Sequence, residues 1–155
     1  MQLLVNIDVD DLEAGISFYE KGLALQLSRK LFGGTVAEMA GGESSIYLIE
    51  NAAGSAAVSG TTIPRDYGRH WTPVHLDFVV EDVDAAVKQS VMAGARQEGE
   101  IQTFPWGKLV AMSDPFGHGF CLLQFVGKGY ELRLQTTRVP LGARETYPAK
   151  REKMQ

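Results

Sequence analysis

The chain has 155 residues and a mass of 16.9 kDa, which is enough for one domain whose core needs neither disulfides nor a structural metal. Its only cysteine, Cys121, excludes an intrachain disulfide and a zinc site built from thiolates of this chain alone. Residues 1–126 carry 8 Lys or Arg against 16 Asp or Glu, and residues 127–155 carry 7 against 3. An acidic body of this kind predicts that the protein does not bind nucleic acid.

Targeting signals are not evident in the sequence. The N-terminus lacks a basic segment followed by an apolar run, and no uninterrupted apolar span reaches ~18 residues. We therefore expect a cytoplasmic protein that does not bind membranes. The basic C-terminal extension, residues 127–155, contains two prolines and polar surroundings and is predicted to be partly ordered at most.

The first 23 residues predict a strand followed by a helix. Val5, Ile7 and Val9 alternate with residues of the opposite face, which is the period of a half-buried strand. Asp11 stands where a helix N-cap belongs, and Gly22 is predicted to end the helix. The apolar stripe of this helix is predicted to be Leu12, Ile16, Tyr19 and Leu23.

The stretch from His75 to Ala95 repeats this pattern. Leu76, Phe78 and Val80 share one strand face, Asp82 is the candidate cap and Gly94 the helix end. The helical stripe is predicted to be Val83, Ala86, Val87 and Val91. Asp11 and Asp82 occupy the same place in the two blocks and are 71 residues apart, which indicates an internal repeat. Two such copies can enclose a pocket that neither forms alone.

Alternating runs separated by turn residues follow each predicted helix. Glycine pairs at 33–34 and 41–42 and the turn Asp114-Pro115-Phe116-Gly117 indicate hairpins. The runs predict strands at 23–32, 35–40 and 44–50 in the first half and at 95–104, 108–113 and 119–125 in the second. Each half is therefore βαβββ, and residues 52–71 are predicted to be the linker.

The two modules, the Phe18-Tyr19 pair in the first helix and the Asp-Pro-x-Gly turn together resemble the vicinal oxygen chelate superfamily. This group includes glyoxalase I, bleomycin-resistance proteins, fosfomycin-resistance enzymes and extradiol dioxygenases. The resemblance implies an α+β fold in which two βαβββ modules form an eight-stranded, cup-shaped mixed sheet with helices outside. It implies one domain over 1–126, with module one at 1–51, the linker at 52–71 and module two at 72–126, and a homodimer.

The resemblance also implies where a divalent metal would bind. The family's ligand positions on the first and last strands of each module map to Leu4, Tyr47, His75 and Cys121. Of these only His75 is a usual family ligand, because leucine has no lone pair and tyrosine and cysteine would have to lose protons. We therefore expect no metal and no other cofactor. The alternative is a weakly held divalent ion on inward-facing side chains: Asn6, Asp8, His75 and Asp77.

Several residues are candidates for ligand contact. His75 is read either as a general base or hydrogen-bond donor, or as a histidine simply retained inside the cup. Asp77 and Asp8 are interpreted either as residues that bind a cationic ligand or as acidic residues exposed to solvent. Phe104 and Trp106 lie in a segment that would overhang the cavity and stack on a planar ligand.

Cys121 would be a nucleophile only if a base or cation lowered its pKa, and otherwise an inert residue of a core strand. His70 and His118 show no partner at ligand spacing, and His118 is predicted to be exposed.

The sequence thus predicts a cytoplasmic, homodimeric small-molecule-binding protein of the glyoxalase and bleomycin-resistance type, with antibiotic resistance among the family's roles. The ligand would be planar or aromatic and neutral or cationic, bound without metal. Its predicted contacts are Leu4, Asn6, Tyr47, His75, Asp77, Phe104, Trp106 and Cys121. The alternatives are a lyase or dioxygenase with a non-standard ion site around His75, and an interaction module whose cup is filled by its own side chains.

Overall fold

The structure, a computed structural model, describes residues 3–57, 60 and 62–129. The prediction for the extension at 127–155 therefore falls almost entirely outside the described residues. The first module contains β1 (Leu4–Val9), α1 (Leu12–Leu23), β2 (Gln26–Leu31), β3 (Val36–Ala40) and β4 (Ser45–Glu50), with a 3-10 turn at Phe32–Gly34. The second contains β5 (Leu76–Val79), α2 (Val83–Met92), β6 (Arg96–Phe104), β7 (Gly107–Ser113) and β8 (Gly119–Phe125).

Both modules have the same sheet topology. The strand orders are β1-β4-β3-β2 and β5-β8-β7-β6, so each sheet has four strands. In each module the first and last strands are parallel and the remaining pairs are antiparallel. The predicted α+β fold of two βαβββ modules that together form a cup is confirmed.

The helix starts follow the predicted caps. Asp11 accepts a hydrogen bond from the Ala14 N–H at 2.9 Å, and Asp82 accepts one from the Ala85 N–H at 3.1 Å. The predicted end of α1 at Gly22 is wrong, because the left-handed residue is Ala24, with φ 56°. Gly94, with φ 111°, does follow α2 as predicted.

The core lies between the helices and the sheets. The predicted face of β1 is confirmed, with Ile7 and Val9 buried, and Leu12, Ile16 and Tyr19 of α1 are buried as predicted. In α2 the predicted face is partly wrong. Val91 is 45% exposed, whereas Ser90 is fully buried and donates its hydroxyl to the Gly22 carbonyl at 2.8 Å. No helix in the described part of the chain is long and apolar enough to cross a membrane.

The two modules meet through their helices and through the edges of their sheets. Gly22 of α1 lies so close to Ala93 that a Cβ placed there would be 3.1 Å from the Ala93 Cβ. β1 and β5 are edge strands of their own sheets, and residues of both line the same two cavities. We call this region between β1 and β5 the seam, and it is where ligand-sized space occurs.

Candidate functional site

A cavity of about 570 Å³ lies at the seam. This volume is within the ~300–1,000 Å³ typical of small-molecule sites. We call it the seam cavity. Its apolar walls include Val5, Ile7, Leu76, Phe78 and Phe120, and its polar lining includes Asn6, Asp8, Tyr19, Arg65, Thr72 and all three histidines of the chain. It combines apolar area with a few converging polar groups, which is the arrangement of a binding site.

A second cavity of about 1,120 Å³ lies elsewhere along the same seam. It is lined by the end of α1, the Gly41–Ser44 turn and the start of α2, with Asp77 and Asp82 among its acidic groups. Asp77 thus contributes to this second cavity, whereas His75 and Asn6 line the seam cavity.

Arg65 of the segment between the modules lines the seam cavity and bonds to β1. Arg65 donates from Nε to Asp8 Oδ2 at 2.6 Å, and Asn51 donates from Nδ2 to Asp8 Oδ1 at 2.9 Å. Tyr67 donates its hydroxyl to the Asn51 carbonyl at 2.7 Å. Because both oxygens of Asp8 are engaged within the protein, its carboxylate is poorly placed to grip a cationic ligand.

Three of the predicted contact residues come together at the paired strands β5 and β8 of the second module. His75 Nε2 lies 3.3 Å from Asp77 Oδ1, and donor atoms of His75, Asp77 and Cys121 all lie within 4.8 Å of one another. Burial, together with the Asp77 carboxylate that accepts the thiol proton, raises the pKa of Cys121 to about 11. The thiol is therefore protonated at neutral pH, which favours the inert reading of Cys121.

The family's four metal positions do not fit a divalent ion. Leu4 is 49% exposed and offers no donor atom, and the Tyr47 hydroxyl donates to Glu38 Oε1 at 3.1 Å. Cys121 would have to lose a proton that its surroundings retain. Only His75 of the four is suited to a metal.

Trp71 packs beside the seam cavity without lining it, against His75 and Gly119 of its wall, and the sequence did not single it out. Its ring lies over Gly119, where an added Cβ would be 2.6 Å from the indole, and its edge meets His75 at a ring-centroid distance of 5.6 Å. Trp71 Nε1 donates to Glu98 Oε2 at 3.0 Å. Arg69 covers the other face of the indole, 4.6 Å from the centroid, and its bond to Glu98 lowers the pKa of that carboxyl. The unusual density of Arg, Tyr, His and Trp in 65–71 is the signal that could have revealed this role.

Phe104 and Trp106 stack on each other at the β6–β7 turn, with ring centroids 4.8 Å apart and planes 4° from parallel. Neither residue lines the two cavities described here, and the same holds for Leu4, Tyr47 and Cys121. A ligand contact by Trp106 stays a prediction, for a compound that reaches beyond the seam cavity.

The prediction that His118 is exposed is wrong, and His70 and His118 are partners that sequence spacing did not indicate. His118 is partly buried, and its ring nitrogen lies 3.2 Å from that of His70. The two residues also form an isolated parallel bridge between the segment preceding β5 and the β7–β8 turn. Forty-eight residues separate them in sequence, so spacing could not have revealed the contact.

Fold and cavity together define a two-module α+β cup with a binding space where its halves meet. The glyoxalase-like domain family matches residues 4–123, and the chain belongs to this family. This confirms the resemblance to the vicinal oxygen chelate superfamily. A comparison with curated proteins finds no match.

Solved structures share the fold at low sequence identity. A hypothetical protein, SA1046, from S. aureus has a TM-score of 0.60 and 22% identity, covering 80% of this chain and 96% of its own. A glyoxalase-related enzyme from Fulvimarina pelagi has a TM-score of 0.59 and 18% identity, covering 83% and 95%. The fosfomycin resistance protein FosX from Listeria monocytogenes has a TM-score of 0.64 and 15% identity, covering 86% and 97%.

Proposed function

We propose that this protein binds a planar or aromatic small molecule, neutral or cationic, in the seam cavity, and does so without a metal at the family's four ligand positions. The single observation that supports this most is the cavity itself, whose size and mixed lining suit a small organic ligand. Apolar side chains from β1 and β5 would bury the ligand, and Asn6, Thr72 and His75 would orient it through hydrogen bonds.

Phe78 and Phe120 line the cavity and are the aromatic rings available for contact with a ligand, and Trp71 supports the wall at His75. Its indole contacts His75 and Gly119, which both line the cavity. Because the hydrogen bond to Glu98 and the Arg69 guanidinium hold the indole, Trp71 would keep His75 in place for a ligand, and little side-chain entropy would be lost on binding. An aromatic contact contributes about 0.5–1.5 kcal/mol beyond burial, so Phe120→Leu should weaken binding about two- to tenfold.

The test is a screen of planar compounds by thermal shift, followed by titrations monitored by tryptophan fluorescence. The chain has two tryptophans, so Trp71→Phe and Trp106→Phe form a matched pair. A ligand in the seam cavity should bind more weakly to Trp71→Phe and to His75→Ala, and nearly unchanged to Trp106→Phe. If Trp106→Phe were the only substitution that weakened ligand binding, the ligand would lie at the β6–β7 turn. That result would contradict the cavity proposal.

A metal-dependent lyase or dioxygenase reaction is the second candidate. One observation favours it, the convergence of donor atoms from His75, Asp77 and Cys121 within 4.8 Å. Elemental analysis of untagged protein purified without chelator tests this candidate. A stoichiometric ion lost in His75→Ala and Asp77→Asn would support it, and trace metal in the wild type would contradict it.

The homodimer and the cytoplasmic location stay predictions. Light scattering coupled to size exclusion would measure the mass directly, and a mass of about 17 kDa at working concentrations would contradict the dimer.

A further inference from the structure

His70 and His118 form a pair on the wall of the seam cavity. His70 Nε2 and His118 Nδ1 lie 3.2 Å apart, and the ring planes are 85° from parallel. The backbone holds them there, because the His70 N–H donates to the Gly117 carbonyl at 2.9 Å and the His118 N–H to Asp114 Oδ1 at 2.9 Å. These hydrogen bonds hold the backbone of both histidines, so the pair follows from the fold itself.

The outer nitrogen of each ring faces a backbone carbonyl. His70 Nδ1 lies 2.8 Å from the Gly68 carbonyl, and His118 Nε2 lies 2.8 Å from the Asp8 carbonyl. A carbonyl oxygen can only accept, so both of these nitrogens carry a hydrogen. In a neutral imidazole the remaining nitrogen then bears a lone pair. The two inner nitrogens would present lone pairs to each other at 3.2 Å unless a cation lies between them.

We propose that this cation is a divalent transition-metal ion of the kind that imidazole binds well, such as Zn²⁺, Co²⁺ or Ni²⁺. Histidines that bind metals almost always donate their other ring N–H to a carbonyl or carboxylate, and both rings do so here. Two nitrogens each ~2.0–2.1 Å from a tetrahedral ion are about 3.3 Å apart, close to the 3.2 Å observed.

Both rings belong to the lining of the seam cavity, so an ion between them would lie at its wall. Two protein ligands leave positions for water or for donor atoms of a bound compound, as in metal sites that exchange their outer ligands. This site lies apart from the family's strand positions and from the cluster around His75. It goes beyond the proposed function, since the cavity can bind a ligand whether or not an ion is present.

The chain has only three histidines, which makes the site testable by single substitutions. Full-length untagged protein is stripped with chelator and titrated with Co²⁺, whose visible absorption reports nitrogen coordination, and Zn²⁺ is then used to displace it. The variants are His70→Ala, His118→Ala and His75→Ala. Because His118 bonds to the first module, His70→Ala is the milder change and keeps the test valid if His118→Ala folds poorly.

We expect one equivalent of Co²⁺ in the wild type and in His75→Ala, with affinity reduced about 100-fold or more in His70→Ala and in His118→Ala. The proposal is overturned if Co²⁺ does not bind stoichiometrically. It is equally overturned if binding survives both substitutions, or is lost only in His75→Ala. Ligand titrations in Zn²⁺-free buffer test the proposed function separately.

Discussion

The Tyr19 hydroxyl of the first module donates to Asp114 Oδ2 of the second at 3.0 Å, inside the protein. Both side chains are buried, and the other oxygen of Asp114 accepts the N–H groups of Phe116 and His118, each at 2.9 Å. Burial raises the pKa of Asp114 and, together with the neighbouring carboxylate, that of Tyr19. This polar contact thus ties α1 to the turn that carries His118.

Tyr19→Phe should destabilise the protein by about 1–3 kcal/mol, because it leaves a buried carboxylate oxygen without its donor. The matched control is Tyr47→Phe, whose hydroxyl bonds to the partly buried Glu38 and should cost about 1 kcal/mol or less. Urea unfolding at pH 7 measures both. Equal costs for the two variants would show that the bond between the modules has no special importance for stability.

Asp114→Asn should change how stability depends on pH. A carboxyl whose pKa is raised by folding favours the folded state most below its ordinary pKa of 3.8, and that contribution is lost as pH rises through the folded value. Asparagine does not titrate, and its amide can still accept from the two N–H groups. The stability of the variant relative to wild type should therefore rise from pH 3.5 to neutrality.

Urea unfolding of the two proteins at intervals of half a pH unit gives the difference in stability between Asp114→Asn and wild type directly. Other carboxyls such as Glu98, whose pKa is lowered by Arg69, titrate in both proteins and cancel in the comparison. A difference that is constant with pH would refute the prediction.

The elements were predictable because their signals are local. Period-two alternation and the Asp11 and Asp82 caps depend on residues within one turn or strand of each other. The seam cavity was not predictable in this way. Trp71 is placed by Gly119 and Glu98, and His70 by His118, and these contacts join residues 27 to 48 positions apart.

The error in α2 has the same origin. Apolarity predicts Val91 on the buried face, but the position that faces α1 is taken by Ser90, whose hydroxyl finds an acceptor in the Gly22 carbonyl. A polar residue is stable in a core only when a partner from another element satisfies it, and sequence periodicity carries no information on that partner.

Ser90→Ala tests this contact between the helices. The substitution removes a buried hydrogen bond and leaves the Gly22 carbonyl unpaired, which should cost about 1–2 kcal/mol. Gln89→Ala is the matched control on the same helix, because its bond to the Lys21 carbonyl is exposed and should change stability by less than about 0.5 kcal/mol. Urea unfolding of the two variants side by side decides the matter, and a larger loss in Gln89→Ala would contradict the burial argument.

Asp77→Asn should make Cys121 more reactive. The thiol pKa of about 11 leaves roughly one thousandth of it ionised at pH 8, and Asp77 contributes to that value by its charge and by accepting the thiol proton. Asparagine removes the charge while burial remains, so the pKa should fall and the rate of alkylation by iodoacetamide at pH 8 should rise several-fold. Glu38→Gln alters a partly buried carboxyl on β3 of the other module, bonded to Arg29 and Tyr47, and should leave the rate unchanged. The contradicting outcome is that Asp77→Asn and wild type react equally at every pH, while both react fast in urea. Access to the buried sulfur, and not its ionisation, would then control the rate of alkylation. The role assigned to Asp77 would be wrong.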